Sequence, residues 1–423
     1  MLRVRAVDTP GPSCASRAAS RERLTTAKGS LRAVADAMVA SNLPVRTLVF
    51  SRVKEHKPRK QMQSNEAGSA EHILNGRRKP TASYTDTSMV VASSFKLKRC
   101  VARVAMAVAV LSSAVWPRAA IAEEQSIALP GLHAFPESLT STVDGTLFIG
   151  RLGDGGIVRA NPRSGDVAVF VPSGASETRS ILGVLADERT NTLWVCSNDL
   201  SALGGPSSSG DGGSGLKGFD LRTGAAKRSV ALPGAHAFCN DIAVDARGAI
   251  YVTDSTGPNI LRLPAGASTF EVFASSPLFS PPPGGFGLDG IAFGRDANVY
   301  VTTYTAGGLF RVDVKGGRAD RVTQLHSATP LTRPDALRML GENSFLLVEG
   351  SGSLDRVDVK GDVFAAAPIR GGFREPTSVT RVGSTAWVSE GQLSFFFDRS
   401  RKSQSPSLPF RIYAVQLSKG QSQ

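Results

Sequence analysis

Six times between residues 137 and 390 the sequence repeats one unit: a short apolar strand, a polar turn, and a second β-branched or aromatic strand. The copies are ESLTSTVDGTLFIG from Glu137, GVLADERTNTLWVCS from Gly183 and NDIAVDARGAIYVTD from Asn240. They continue with DGIAFGRDANVYVTT from Asp289, DALRMLGENSFLLVE from Asp335 and TSVTRVGSTAWVSE from Thr377. Most run on into a third and fourth strand, as in GGLFRVDVKGGRADRVTQL from Gly307 to Leu325. Successive copies start 42–57 residues apart. Four short strands at that period predict a β-propeller blade, because a lone blade leaves both sheet faces exposed and only stacking covers them. Six copies predict an all-β, six-bladed β-propeller.

A ring must also close. SIALPGLHAFPE (Ser126 to Glu137) matches SVALPGAHAFCN (Ser229 to Asn240) at eight of twelve positions. The second segment is an outer strand of blade 2 leading into blade 3. The first should then be an outer strand leading into blade 1, although no blade precedes it. Ile127 to Leu129 are therefore expected to complete blade 6 beside RIYAVQL (Arg411 to Leu417). The match also makes Glu137 and Asn240 equivalent positions.

Those positions, near the start of each innermost strand, read Glu137, Gly183, Asn240, Asp289, Asp335 and Thr377. Innermost strands line the central channel, so these side chains should converge on one mouth. Three carboxylates and an amide gathered there repel one another unless something positive sits among them. The donors are all oxygen, which suits a hard cation: Ca²⁺ first, with Mg²⁺, Mn²⁺ or Zn²⁺ as alternatives. A wet channel whose polar side chains bind only water is the other reading.

Charge separates the folded part from what precedes it. The chain carries a net charge of +13, but residues 1–122 hold 21 Lys and Arg against 7 Asp and Glu. The remainder holds 28 against 29, so the folded part gives no reason to expect nucleic acid as a partner. Residues 1–88 lack the apolar content to offset the entropy of ordering and read as a disordered basic segment, or as sequence upstream of the natural start. Residues 89–122 have the layout of a signal peptide. Lys96, Lys98 and Arg99 precede a 13-residue apolar run, Val104 to Trp116, and Ala120-Ile121-Ala122 offers a cleavage site. The rival, an uncut N-terminal anchor, would need a longer run to span a bilayer. Cleavage near Ala122 leaves residues 123–423 as an exported propeller, periplasmic or extracellular, expected to be monomeric with no stable membrane span. Export also sets the redox context. Cys196 ends the second strand of blade 2 and Cys239 precedes the first strand of blade 3, so a disulfide between adjacent blades is expected.

The motifs PES at Glu137, CNDIAVD at Asn240 and Asp241, LDGIAF at Asp289 and RPDAL at Asp335 resemble the SMP-30/gluconolactonase/regucalcin family. The resemblance covers Phe135 to Leu417. It implies a six-bladed propeller with a divalent metal in the channel and hydrolysis of a lactone or ester, a small-molecule substrate. Glu137, Asn240, Asp289 and Asp335 would be the metal ligands, with Asp335 also the catalytic base. At Asp289 the family usually has Asn. Two residues before the Asn-Asp pair, members acting on sugar lactones often carry Arg; here the residue is Phe238, which argues against gluconolactone itself. Phe238, Asp241 and His236 are the substrate-side candidates, although Asp241 should alternate to the other strand face and His236, like His133, suits capping or packing. Asp254 ends a second strand near the same mouth. The glycine-rich segment from Gly204 to Gly215 and the segment from Ser275 to Gly287 are candidate lids; neither has the pattern of a phosphate-binding loop. The competing class is a non-catalytic propeller that binds a ligand or protein around a structural metal, since a propeller alone does not imply catalysis.

Overall fold

A computed structural model describes residues 125–421 except 202–204, 207–212 and 402. The expected disordered segment and signal peptide lie outside the described residues, as does most of the glycine-rich segment after Gly204. The rest forms six four-stranded antiparallel sheets. Blade 1 comprises Pro136–Ser141, Leu147–Arg151, Ile157–Ala160 and Val167–Val171. Blades 2 to 5 open with Ser180–Asp187, Cys239–Val244, Leu288–Phe293 and Pro334–Gly341, and each adds three strands in chain order. Blade 6 opens with Pro376–Val382 and Thr385–Glu390, takes Arg411–Gln416 third, and is completed by Ser126–Ala128. In that clasp Ser126 lies opposite Tyr413 and Ala128 opposite Arg411, and Leu129 N donates to Phe410 O at 2.8 Å. Among the described residues no helix is long and apolar enough to cross a membrane.

The first strand of each blade packs on the first strands of its neighbours, and the sixth returns to the first. Adjacent inner strands share no ladder, so side chains make the links. Thr253 Oγ1 donates to Asp289 O at 2.6 Å, Thr302 Oγ1 to Asp335 O at 3.1 Å, and Thr377 Oγ1 to Pro136 O at 3.0 Å. Apolar side chains fill the wedges between blades. Tyr251, Ile260 and Phe279 meet Ile291, Phe310 and Val312 between blades 3 and 4. Each such side chain, fully buried, contributes about 1.5–3 kcal/mol. Cys196 and Cys239 are joined by a disulfide across blades 2 and 3, their Cα atoms 5.2 Å apart.

Every inner strand shifts register near its start. Cys239 lies opposite Asp254 and Ile242 opposite Val252, so three steps on one strand match two on the other. The same irregularity recurs in the other five blades. A bulge of this kind re-aims side chains. Counting back two residues from the equivalent buried positions Leu139, Val184, Ile242, Ile291, Leu337 and Val379 gives Glu137, Leu182, Asn240, Asp289, Asp335 and Thr377. Blade 2 therefore contributes Leu182 to the ring, a correction to the Gly183 expected from the repeat alone. Gly183 sits where inner strands touch: a Cβ there would lie 2.3 Å from Asn240 O. Gly290, its counterpart in blade 4, would place a Cβ 2.4 Å from Asp335 O.

Candidate functional site

The ring residues meet at one end of the channel around a cavity of about 30 Å³. Glu137, Asn240, Asp289, Asp335 and Thr377 form its floor. Leu182, Phe238, Phe286 and Phe397 form an apolar wall, and Arg333 and Glu375 stand at the rim. A space of that size suits water or a single ion, so an organic molecule must displace part of the wall.

Local geometry at the mouth repeats from blade to blade. The carbonyls of Phe135, Phe238, Arg333 and Glu375 accept from the amides of Leu152, Ser255, Gly350 and Gly391 at 2.8–3.1 Å. Three of these residues, Phe135, Arg333 and Glu375, precede a proline and have φ of 41°, 56° and 49°. Left-handed backbone at non-glycine residues is costly and persists where surrounding bonds fix it. The result is a rigid collar that holds the first residues of the inner strands.

Inside the collar the floor is acidic and dry. Glu137, Asp289 and Asp335 are each at least 93 % buried. Asp289 lies beside Asp335 and Asn240 on this floor. Asn240 is oriented by Nδ2, which donates to Ser255 Oγ at 2.9 Å, while Ser255 Oγ donates onward to Leu288 O at 2.6 Å. Glu137 differs: its carboxylate accepts no hydrogen bond from any described residue. All three acids hold their protons well above the usual carboxylate range. For Glu137 burial is the main cause, followed by the charges of Asp289 and Asp241, with Arg338 opposing. For Asp289 burial comes first and Asp241 second. For Asp335 burial is followed by Asp289, Glu137 and Asp241. Without a cation, then, this floor keeps protons that bulk water would remove.

Arg338 is the residue that sequence reasoning missed. Its guanidinium grips Asp241 with two bonds, Nη1 to Oδ2 at 2.6 Å and Nη2 to Oδ1 at 2.9 Å. Asp241 Oδ2 also accepts from Ile291 N at 3.0 Å, so the pair ties blade 3 to blade 5 across blade 4. A signal was present: the same inner-strand position is Thr140, Leu185, Ala243, Ala292 and Thr380 in the other blades. One charge at a position that is otherwise neutral and at least half-buried needs a partner.

Phe238 lines the cavity with the four acid and amide candidates, but the other substrate-side candidates do not. Asp241 is held in the ion pair with Arg338. His236 is exposed, and its carbonyl accepts from Thr256 Oγ1. Asp254 accepts from Phe238 N at 2.9 Å and from Thr256, a capping role. His133 is exposed. Of the two candidate lids, the second supplies Phe286. The wall is completed by a feature absent from the repeat, the excursion between Glu390 and Arg411. Its short helix Ser394–Phe397 presents Phe397 to the cavity. Ser394 N donates to Glu375 Oε2 at 2.8 Å, and Gln392 and Ser407 exchange bonds of 3.0 and 2.8 Å.

A cation fits the floor in donor chemistry: buried oxygens, mutual repulsion, a carboxylate with no donor, and room for an ion. Among the described residues, however, no three His, Cys, Asp or Glu side chains stand ready-assembled as a metal cage. Asn240 and closure of Glu137 toward the Asp289–Asp335 pair would have to complete the set.

No family model matches the sequence, and no curated protein matches it. Solved structures do. The chain is similar to the Malassezia sympodialis allergen Mala s 1, at 17 % identity and TM-score 0.54 over 69 % of this chain and 95 % of that one. It is similar to the calcium-binding protein regucalcin from Agrobacterium tumefaciens, at 15 % and 0.49 over 70 % and 95 %. It is similar to virginiamycin B lyase from Staphylococcus aureus, at 15 % and 0.47 over 70 % and 99 %. Of these three, the first bears on the fold and none bears on activity. A fold alone does not imply a function, so function is argued from the site.

Proposed function

We propose that this chain is an exported hydrolase of lactones or esters in which Glu137, Asn240, Asp289 and Asp335 hold a divalent cation, Ca²⁺ by first choice. The single observation that carries the reading is Glu137, a carboxylate 94 % buried, facing a cavity and accepting no hydrogen bond from any described residue. A buried charge with no donor is costly, and a cation beside it removes the cost. Once bound, a cation polarises a carbonyl oxygen and lowers the pKa of a bound water.

The protein's own groups supply the rest. Asp335 takes a proton from the attacking water as its oxygen adds to the acyl carbon, and returns it to the departing alkoxide oxygen. The charge of Asp289 beside Asp335 raises the affinity of Asp335 for that proton between the two events. Asn240, fixed by Ser255, keeps an amide oxygen directed at the floor. Phe238, Phe286 and Phe397 exclude water and favour an apolar acyl or lactone ring over a sugar acid.

Elemental analysis of the purified exported protein, followed by a panel of lactones and esters assayed with and without chelator, tests this reading. Stoichiometric metal, with turnover lost on chelation and in Asp335→Asn while the fold persists, is the expected outcome. Turnover indifferent to both would leave a binding propeller as the better account.

A further inference from the structure

Four carboxylates, not three, crowd the channel end, and the fourth is treated differently. Asp241 accepts from Arg338 with both oxygens and from Ile291 N with one, and it does not line the cavity as Glu137 does. Its side chain is 5 % exposed and that of Arg338 16 %, so the pair is shielded from bulk screening. Arg338 is also close enough to feel Glu137 and Asp335 as well as Asp241. A permanently charged guanidinium thus stands next to an all-oxygen floor, and it cannot lose its proton as a lysine could.

We propose that Arg338 sets the charge of the cation site: its guanidinium neutralises Asp241 and leaves Glu137, Asp289 and Asp335 as the carboxylates that draw a cation. This rests on the cation-site reading above. Without the guanidinium, a fourth carboxylate would add its charge to the floor and invite a second cation or a further proton. With it, the charge of Asp241 is cancelled, and the pull on an incoming cation comes from the other three carboxylates.

The test separates charge from scaffolding. Asp241→Asn is isosteric, keeps one acceptor oxygen for Ile291 N and Arg338 Nη1 while giving up the acceptor for Nη2, and leaves the guanidinium uncancelled. Its Ca²⁺ affinity by calorimetry, and Tb³⁺ affinity by sensitised luminescence, should fall about tenfold or more. The double variant Asp241→Asn with Arg338→Met restores the net charge and should return both affinities to within about threefold of the unmodified protein. Melting in chelator reports folding of each variant independently. Unchanged affinity in Asp241→Asn, or a double variant weaker than the single, would overturn the proposal. If the unmodified protein binds neither Ca²⁺ nor Tb³⁺, the underlying cation reading fails and takes this one with it.

Discussion

Glu137→Gln separates a ligand from a structural residue, because the two roles predict opposite signs. In the absence of metal the Glu137 carboxylate is buried, beside Asp289 and Asp241, and accepts no hydrogen bond from any described residue. Its pKa is raised in the folded state, so its contribution to stability is present below the unfolded pKa and is lost as pH rises through the folded one. An amide of the same shape cannot ionise. At pH 8 in chelator the variant should therefore be more stable than the parent by about 1–3 kcal/mol. Roughly 290 described residues at about 2.1 cal/mol/K each give an unfolding entropy near 0.6 kcal/mol/K, so the melting temperature should rise by about 2–5 °C. With Ca²⁺ at 100 times its dissociation constant the parent should gain about 2.7 kcal/mol, or about 4 °C. The variant should gain little. Differential scanning calorimetry with and without Ca²⁺ reads all four states. A variant that melts lower than the parent in chelator, or that keeps the full Ca²⁺ shift, would refute the reasoning.

Other consequences follow from the same geometry. Glu349, half-buried, has its pKa pushed up to about 7, chiefly by burial, with the Thr332 amide opposing and the charge of Asp355 adding. That stabilising contribution is present below about 4.5 and lost as pH rises through about 7, so Glu349→Gln should narrow the fall in melting temperature between pH 5 and pH 8. The Cys196–Cys239 disulfide closes a separation of 43 residues, worth about 4 kcal/mol by chain entropy. The double Cys→Ala protein should melt about 7 °C lower, with a matching loss on reduction of the parent. Gly183→Ala places a Cβ 2.3 Å from Asn240 O, so it should cost about 1–3 kcal/mol and weaken Ca²⁺ binding by displacing Asn240, read by melting and calorimetry.

How much of this was legible depended on whether the information was local. The strand–turn–strand period predicted six blades, and the match between Ser126–Glu137 and Ser229–Asn240 predicted the clasp, because blades are built from contacts along one stretch of chain. Repeat alignment alone placed Gly183 on the ring. It missed by one residue because the bulge and the 2.3 Å approach of adjacent strands leave no mark in hydropathy. Phe397 was not legible at all: the excursion that carries it belongs to no repeat and reaches the cavity only through folding over the rim.

The sequence by itself determined the propeller, the inward period of its inner strands, and the oxygen-bearing residues Glu137, Asn240, Asp289 and Asp335 at one level of the ring. Only the tertiary structure decided which of the channel's acids are free to act. Asp241 is adjacent in sequence to Asn240, yet a guanidinium 97 residues away in blade 5 takes both its oxygens. Glu137 receives no such partner. Sequence fixes which charges a chain carries, but the cost of burying each one is set by what the closed ring brings within a few ångströms of it.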